Sequence, residues 1–174
     1  HLDVPKNLKT NSAYGTTTEG ATLLSTGTVR HAGHGVTYLG FLDHVTDHIA
    51  ALLKTTQEVF HRGGFETHLS KQIIARLWTK LFVNVGINAL TAILGCKNGE
   101  LLTLPAVGER MKEAISEAVE IAKAQNIPVL DTPYLACQDV CHKTAENISS
   151  MLQDVQNCQR TEICGKVVSS GESE

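Results

Sequence analysis

Between Ser70 and Leu94 the chain places Ile73, Ile74, Leu77, Trp78, Leu81, Phe82, Val85, Leu90 and Ile93 so closely that a helix built from them has almost no polar face. Such a helix belongs in a core, and other helices must cover it. Ser70 is a suitable cap for its start. The following residues supply the covering elements. Pro105 suits a first helical turn, and Val107, Met111, Ala114, Ile115, Ala118, Ile121 and Ala122 keep the 3.6-residue period until Asn126 and Pro128. Thr132-Pro133 opens a further helix, interrupted near Asn147, and Ser150-Met151-Leu152-Gln153 reads as a capping box that restarts it. No strand signal follows Ser70.

The first forty residues have another texture. Thr16, Thr17, Thr18, Thr22, Thr26, Thr28 and Thr37 alternate with glycines and with Val, Leu and Tyr, a pattern for short strands and tight turns. Strands are expected near Ala13–Thr18, Thr28–His31 and Val36–Leu39. An amphipathic helix is expected from Asp43 to about Phe60, carried by Val45, Ile49, Leu52, Leu53 and Val59, and stopped by Arg62-Gly63-Gly64. The fold expectation is therefore mainly α: residues 1–69 form the end of an α/β unit and residues 70–174 an all-helical domain. His1-Leu2-Asp3-Val4-Pro5 reads like the middle of a longer chain, and the tail from Ser169 to Glu174 is small, polar and suited to fraying.

Several function classes drop out. With a net charge of −3 over 174 residues and no long basic run, neither nucleic acid nor an anionic membrane surface is an expected partner. No stretch of roughly 18 uncharged apolar residues occurs, so a spanning helix is not expected. Five cysteines without a CxxC pair read as reduced thiols in a cytoplasmic protein. Cys137, Cys141 and His142 lack further ligands at fitting spacing, and small core-facing cysteines are the reading adopted. His44 and His48, beside Asp43 and Asp47, read as a solvated helix face. No metal site is expected.

The chemistry lies in what interrupts the apolar helix. Lys80, Asn84 and Asn88 recur every fourth residue and form a stripe that drifts only about 80° around the axis. Inside such a helix each needs a partner, because an unpaired buried polar group costs several kcal/mol. One reading is a polar seam satisfied by neighbouring helices. The other is a cleft wall: an ammonium that holds a carboxylate or gives up a proton, with amides that orient a polar ligand. Desolvation of the lysine would lower its pKa and make it a competent acid near neutrality.

At this stripe the sequence resembles the ketopantoate reductase (2-dehydropantoate 2-reductase) family. Trp78, Lys80, Leu81, Asn84, Asn88, Leu90, Thr91 and Ala92 fall on the family pattern W-x-K-L-x-x-N-x-x-x-N-x-L-T-A, and Asn98-Gly99-Glu100-Leu101 follows. Ser149-Ser150-Met151-Leu152-Gln153-Asp154 and Arg160-Thr161-Glu162-Ile163 match further motifs. Upstream, Gly15-Thr16-Thr17-Thr18, Val29-Arg30-His31 and Gly35-Val36-Thr37-Tyr38-Leu39-Gly40 resemble the last strands of the family's cofactor domain. The resemblance implies a helical domain like the C-terminal domain of 6-phosphogluconate dehydrogenase, preceded by the last strands and helix of a Rossmann NADP-binding domain. It also implies NADPH-dependent reduction of ketopantoate or a related 2-keto acid in the pantothenate pathway. Lys80 matches the proton donor, and Asn84, Asn88, Asn98 and Ser150 match substrate contacts. Glu162 matches the glutamate that closes the site near the lysine and the cofactor. Gly20 or Ala21 lies where backbone approaches the cofactor.

The departures shape the expectation too. No GxGxxG follows a strand, since Gly33-His34-Gly35 lacks the third glycine, so the pyrophosphate-binding half of a Rossmann domain is absent and the chain looks truncated at both ends. NADPH is therefore expected in a full-length protein and is not expected to bind this chain tightly. The alternative is a non-enzymatic helical module for dimerisation or regulation. A homodimer through the helical domain fits either reading.

Overall fold

The computed structural model describes residues 12–42 and 45–162. The expectations placed on His1–Pro5, Asp43, His44, Ile163, Cys164 and the tail lie outside the described residues. The chain divides into two compact units, His1–Leu77 and Trp78–Glu174.

The first unit holds five strands: β1 (Tyr14–Thr17), β2 (Gly20–Ser25), β3 (Thr28–Gly33), β4 (Val36–Gly40) and β5 (Glu66–Leu69). Helix α1 (Asp47–Arg62) connects β4 to β5. A three-stranded sheet runs β1-β4-β5, with β1 antiparallel to β4 (Tyr14 opposite Gly40) and β5 parallel to it (Val36 opposite Glu66). The β4–α1–β5 passage is thus a parallel strand–helix–strand unit, which requires a crossover helix. Strands β2 and β3 form a separate antiparallel ribbon, turned at Thr26-Gly27, where Gly27 has a φ of +80°.

Helix α1 begins at Asp47 and not at Asp43, with Thr46 in the cap position. Its stop agrees with the sequence reading. Gly64 takes a φ of +86°, Phe65 N–H donates to the Phe60 carbonyl, Gly64 N–H donates to His61, and the Phe60 and Phe65 rings lie 6.1 Å apart. That is a Schellman closure with its hydrophobic contact. Two strands escaped the sequence reading, β2 and β5. In β5, Glu66-Thr67-His68-Leu69 has no apolar alternation; pairing with β4 makes it a strand, with Thr67 fully buried.

Helix α2 (Ile73–Leu94) crosses from the first unit into the second. Ser70 does not cap it directly: its Oγ accepts from Gln72 N–H in a turn, and the helix starts at Ile73. By length and mean hydropathy, 1.4 over 18 residues, α2 equals a membrane-spanning helix, which the criterion of uncharged residues had set aside. Only 28% of that window is buried, and Ile93 and Leu94 at its end are exposed, so the core burial expected from the apolar pattern is met only along part of the helix. Phe82 and Ile87 are buried by a 3-10 turn at Asn98–Thr103 and by α3 (Pro105–Ala124) and α4 (Pro133–Lys143), through Leu101, Met111, Ile115, Ala118, Ala122, Cys137 and Cys141. Cys137 and Cys141 are fully buried core residues; the neighbouring Cys141 thiol and burial push the Cys137 thiol up and keep it inert. Gly86 permits a close approach of α2 to its neighbours. A Cβ there would stand 2.6 Å from Cys137 Sγ and 2.8 Å from Ile115 Cδ1.

Helix α3 ends where the sequence indicates, with Asn126 left-handed at φ 56° and Ile127 N–H bonded to the Ala122 carbonyl. Helix α4 ends at Lys143, before Asn147. The last described helix, α5, spans Ser150–Gln156.

Candidate functional site

The cap of α5 decides how the site is assembled. Its N-cap is Ser149, not Ser150: Ser149 Oγ accepts from Leu152 N–H at 3.1 Å and from Thr91 Oγ1 at 2.7 Å. Thr91 is itself fully buried and lies one helical step beyond Asn88 on α2. The tandem serines therefore divide two tasks. Ser149 fastens the start of α5 to α2, and Ser150, as the first helical residue, is left exposed with its Oγ 3.5 Å from Asn88 Nδ2. The capping box does not form, because Gln153 Nε2 reaches the Ile148 carbonyl and not the cap backbone.

Beside this joint lies a cleft of about 290 Å³. Leu81, Asn84, Val85, Asn88 and Ala89 of α2 form one wall, Ala114 of α3 and Met151 of α5 add apolar surface, and Glu162 stands at the rim. Asn88 is 7% exposed and Asn84 half-buried, while Glu162 is exposed. The cleft thus offers an apolar floor, two amides that both donate and accept, and a carboxylate, with the Ser150 hydroxyl next to Asn88. A small polar molecule with an apolar part suits that set.

Of the residues singled out from the sequence, Asn84, Asn88 and Glu162 line this cleft, and Ser150 stands beside Asn88 without lining it. Lys80 precedes Asn84 by one turn on the same stripe and is exposed, so the buried, desolvated lysine expected from the apolar pattern is not what the chain forms. The physical reason is the helix geometry: the stripe drifts around the axis, and the turn holding Lys80 lies beyond the buried part of the seam. Asn98 does not line the cleft. It is buried, its Nδ2 donates to Thr144 Oγ1 at 2.9 Å and its backbone N–H to Asn147, which ties the 3-10 turn to the segment after α4; its Oδ1 has no partner among the described residues. Gly20 and Ala21 belong to the strand unit, at a concavity of about 490 Å³ also lined by Glu19, His31, His34 and Phe65. Sequence reasoning overlooked Thr91 and Ser149. A threonine three residues after Asn88 and a serine doublet were the available signals.

Comparisons with known proteins bear on the family and the fold. The sequence profile of "Ketopantoate reductase PanE/ApbA C terminal" matches residues 72–173. A 2-dehydropantoate 2-reductase of Halobacterium salinarum is 39% identical over 150 residues, covering 86% of this chain and 48% of that protein. One from Archaeoglobus fulgidus is 35% identical over 164 residues, covering 91% and 53%. The chain thus spans about half the length of these curated relatives. Among solved structures, a PanE/ApbA family ketopantoate reductase from Ralstonia eutropha superposes with a TM-score of 0.75 at 27% identity, over 92% of this chain and 52% of that one. A D-mandelate dehydrogenase solved with NADH and anilino(oxo)acetate reaches 0.81 at 24% identity, over 94% and 54%, a likeness of fold.

Proposed function

The chain belongs to the ketopantoate reductase family, and on that premise we propose that its helical unit is the substrate side of an enzyme reducing ketopantoate, or a related 2-keto acid, to the 2-hydroxy acid. The single observation that carries this reading is the convergence of Asn84, Asn88 and Glu162 on one cleft walled by the Lys80 helix, with Ser150 beside Asn88. The cofactor proposed is NADPH, which supplies the hydride in such a reduction. The described residues fit it only in part. Gly20 and Ala21 present backbone at a concavity, but no glycine-rich turn leads into a helix N-terminus to hold a pyrophosphate. A dinucleotide-binding half, of the kind the relatives' greater length accommodates, completes the proposal.

The reaction requires a proton for the carbonyl oxygen as charge develops there. Lys80 is proposed as its source, since an ammonium reaches several ångströms along its stem and stands one turn from Asn84. Asn84 and Asn88 hold the substrate through their amides, with Ser150 beside Asn88 to take a carboxylate oxygen. Glu162 at the rim closes the polar side and orients the lysine. A homodimer through the helical unit belongs to the same reading, supported by Ile93 (79% exposed) and Leu94 at the end of α2.

Steady-state kinetics of the complete enzyme test the assignment. Lys80→Ala should lower kcat about a hundredfold, the usual effect of losing a general acid. Asn88→Ala should act mainly through KM, because a positioning amide contributes binding. Near-parental kcat for Lys80→Ala between pH 6 and 9 would make the lysine structural and overturn its assignment as the proton source. Calorimetry on this chain alone should show no tight NADPH binding; a micromolar affinity would overturn the division of labour.

A further inference from the structure

Away from the helical cleft, one cluster of ligand-bearing side chains stands out on the strand unit, in the concavity that Gly20 and Ala21 also line. Glu19 precedes β2, His31 lies in β3 opposite Ala21, and His34 sits in the turn between β3 and β4. Each offers one ligand atom, and the three atoms lie within 4.8 Å of one another. The sequence gives no hint of this, because Glu19 and His31 are brought together by the ribbon and not by a recognisable spacing.

We propose that Glu19, His31 and His34 form a binding site for a divalent transition metal of the zinc class. The donor set is two imidazoles and one carboxylate, the set that leaves a fourth tetrahedral position open. All three residues line the concavity of about 490 Å³, so water or a small anion has room to complete the shell. The set suits zinc, and excludes the all-oxygen preference of calcium and magnesium.

Glu19 is half-buried, with its side chain 14% exposed, while His31 and His34 are exposed. The Glu19 carboxylate lies 2.8 Å from His31 Nε2 and accepts from the Gly35 backbone N–H, which together hold its pKa below the ordinary value; the Gly35 bond is the restraint that stays when the Glu19–His31 contact opens around the ion. The two imidazoles stand edge to face, 4.4 Å between centroids and 89° between planes. Backbone pins the frame. Thr18 N–H donates to the Val36 carbonyl, Val36 N–H to Thr18 Oγ1 and Glu19 N–H to Thr17 Oγ1. The strands at Gly35 approach so closely that a Cβ there would stand 2.3 Å from the Thr18 carbonyl carbon and 2.5 Å from Glu19 N. Zinc ligands at about 2.1 Å from the ion stand roughly 3.4 Å apart, so the Glu19–His31 pair needs to open by about half an ångström, within the reach of a χ rotation. Bound there, the ion fastens the ribbon to the turn before β4.

The test uses the purified chain, stripped by a chelator and titrated with zinc against a chromophoric competitor. One equivalent should bind with a micromolar or tighter dissociation constant. His34→Asn, His31→Asn and Glu19→Gln should each weaken it at least tenfold, with unchanged circular dichroism, while His48→Asn on α1 should have no effect. Should His31→Asn disturb the ribbon, His34→Asn decides, since it leaves the Glu19–His31 pair intact. Cobalt(II) in place of zinc should give visible bands without a thiolate charge-transfer band. Absence of saturable binding, equal binding by the His34→Asn chain, or a thiolate band pointing to cysteine would each overturn the proposal and leave Glu19–His31 as an ordinary ion pair.

Discussion

In the helical unit, Asn88, Thr91, Asn98 and Ser149 lie buried, each within reach of a polar partner on another element, whereas in the strand unit Glu19, His31 and His68 meet their ion-pair partners near the surface. The first arrangement is set by packing. Moving any helix by an ångström breaks bonds that water cannot replace. The second is set by charge, and it answers to pH and salt because solvent competes for every group. A cleft meant to hold one small molecule in one pose suits the former; a site meant to exchange an ion with solvent suits the latter.

Crowding the helical joint tests that contrast most severely. Gly86→Leu forces side-chain atoms into space held by Cys137 and Ile115 and should destabilise the helical unit by about 3 kcal/mol, at the upper end of overpacking costs. Urea unfolding followed by far-ultraviolet circular dichroism measures it, and a loss under about 1 kcal/mol would mean that the helix contacts are looser than the structure shows. Next in size, Thr91→Val removes the hydroxyl bonded to Ser149 and to the Ile87 carbonyl while keeping the shape, and should cost about 1–2 kcal/mol. Thr91→Ser should recover much of it. A Thr91→Val, Ser149→Ala double-mutant cycle with no coupling would dissolve the joint.

Acid should separate the two units in the opposite sense. His31 first, then the Gly35 N–H, hold the Glu19 carboxyl below its ordinary value. A depressed folded-state pKa means that this contribution is complete above the ordinary glutamate value, about 4.3, and is lost as the pH falls below it and through the folded value. NMR titration should show the His31 ring and the Gly35 amide shifting together below about pH 4, while the Thr91–Ser149 joint, which has no titrating member, stays put. An unmoved Gly35 amide would show that the carboxylate is not anchored there. The smallest effect is expected at Gly33→Ala, where an added Cβ meets nothing within 4 Å: stability should change by no more than about 0.5 kcal/mol, against the large loss at Gly86.

Much of the helical unit was legible because its signals are local. The apolar run of α2, Pro105 and Pro133 at first turns, and the Asn126 stop each act within one or two turns of chain, and the structure places helices at Ile73–Leu94, Pro105–Ala124 and Pro133–Lys143 accordingly. The lysine and asparagine stripe was legible for the same reason, and Asn84 and Asn88 of it line the cleft while Lys80 does not.

What the sequence by itself determined is therefore the set of helices, the strand-rich start and the family to which the chain belongs. Tertiary structure decided the rest. It made a strand of Glu66–Leu69, whose polar sequence has no pattern of its own until β4 supplies hydrogen bonds. It chose Ser149 over Ser150 as the cap, because only Ser149 also reaches Thr91, 58 residues away in sequence. It took Asn98 out of the cleft to bond Thr144, left Lys80 exposed, and gathered Glu19, His31 and His34. Periodicity reports which face of an element is apolar; it carries no information about which distant polar group will stand opposite, and that pairing is fixed only when the elements pack.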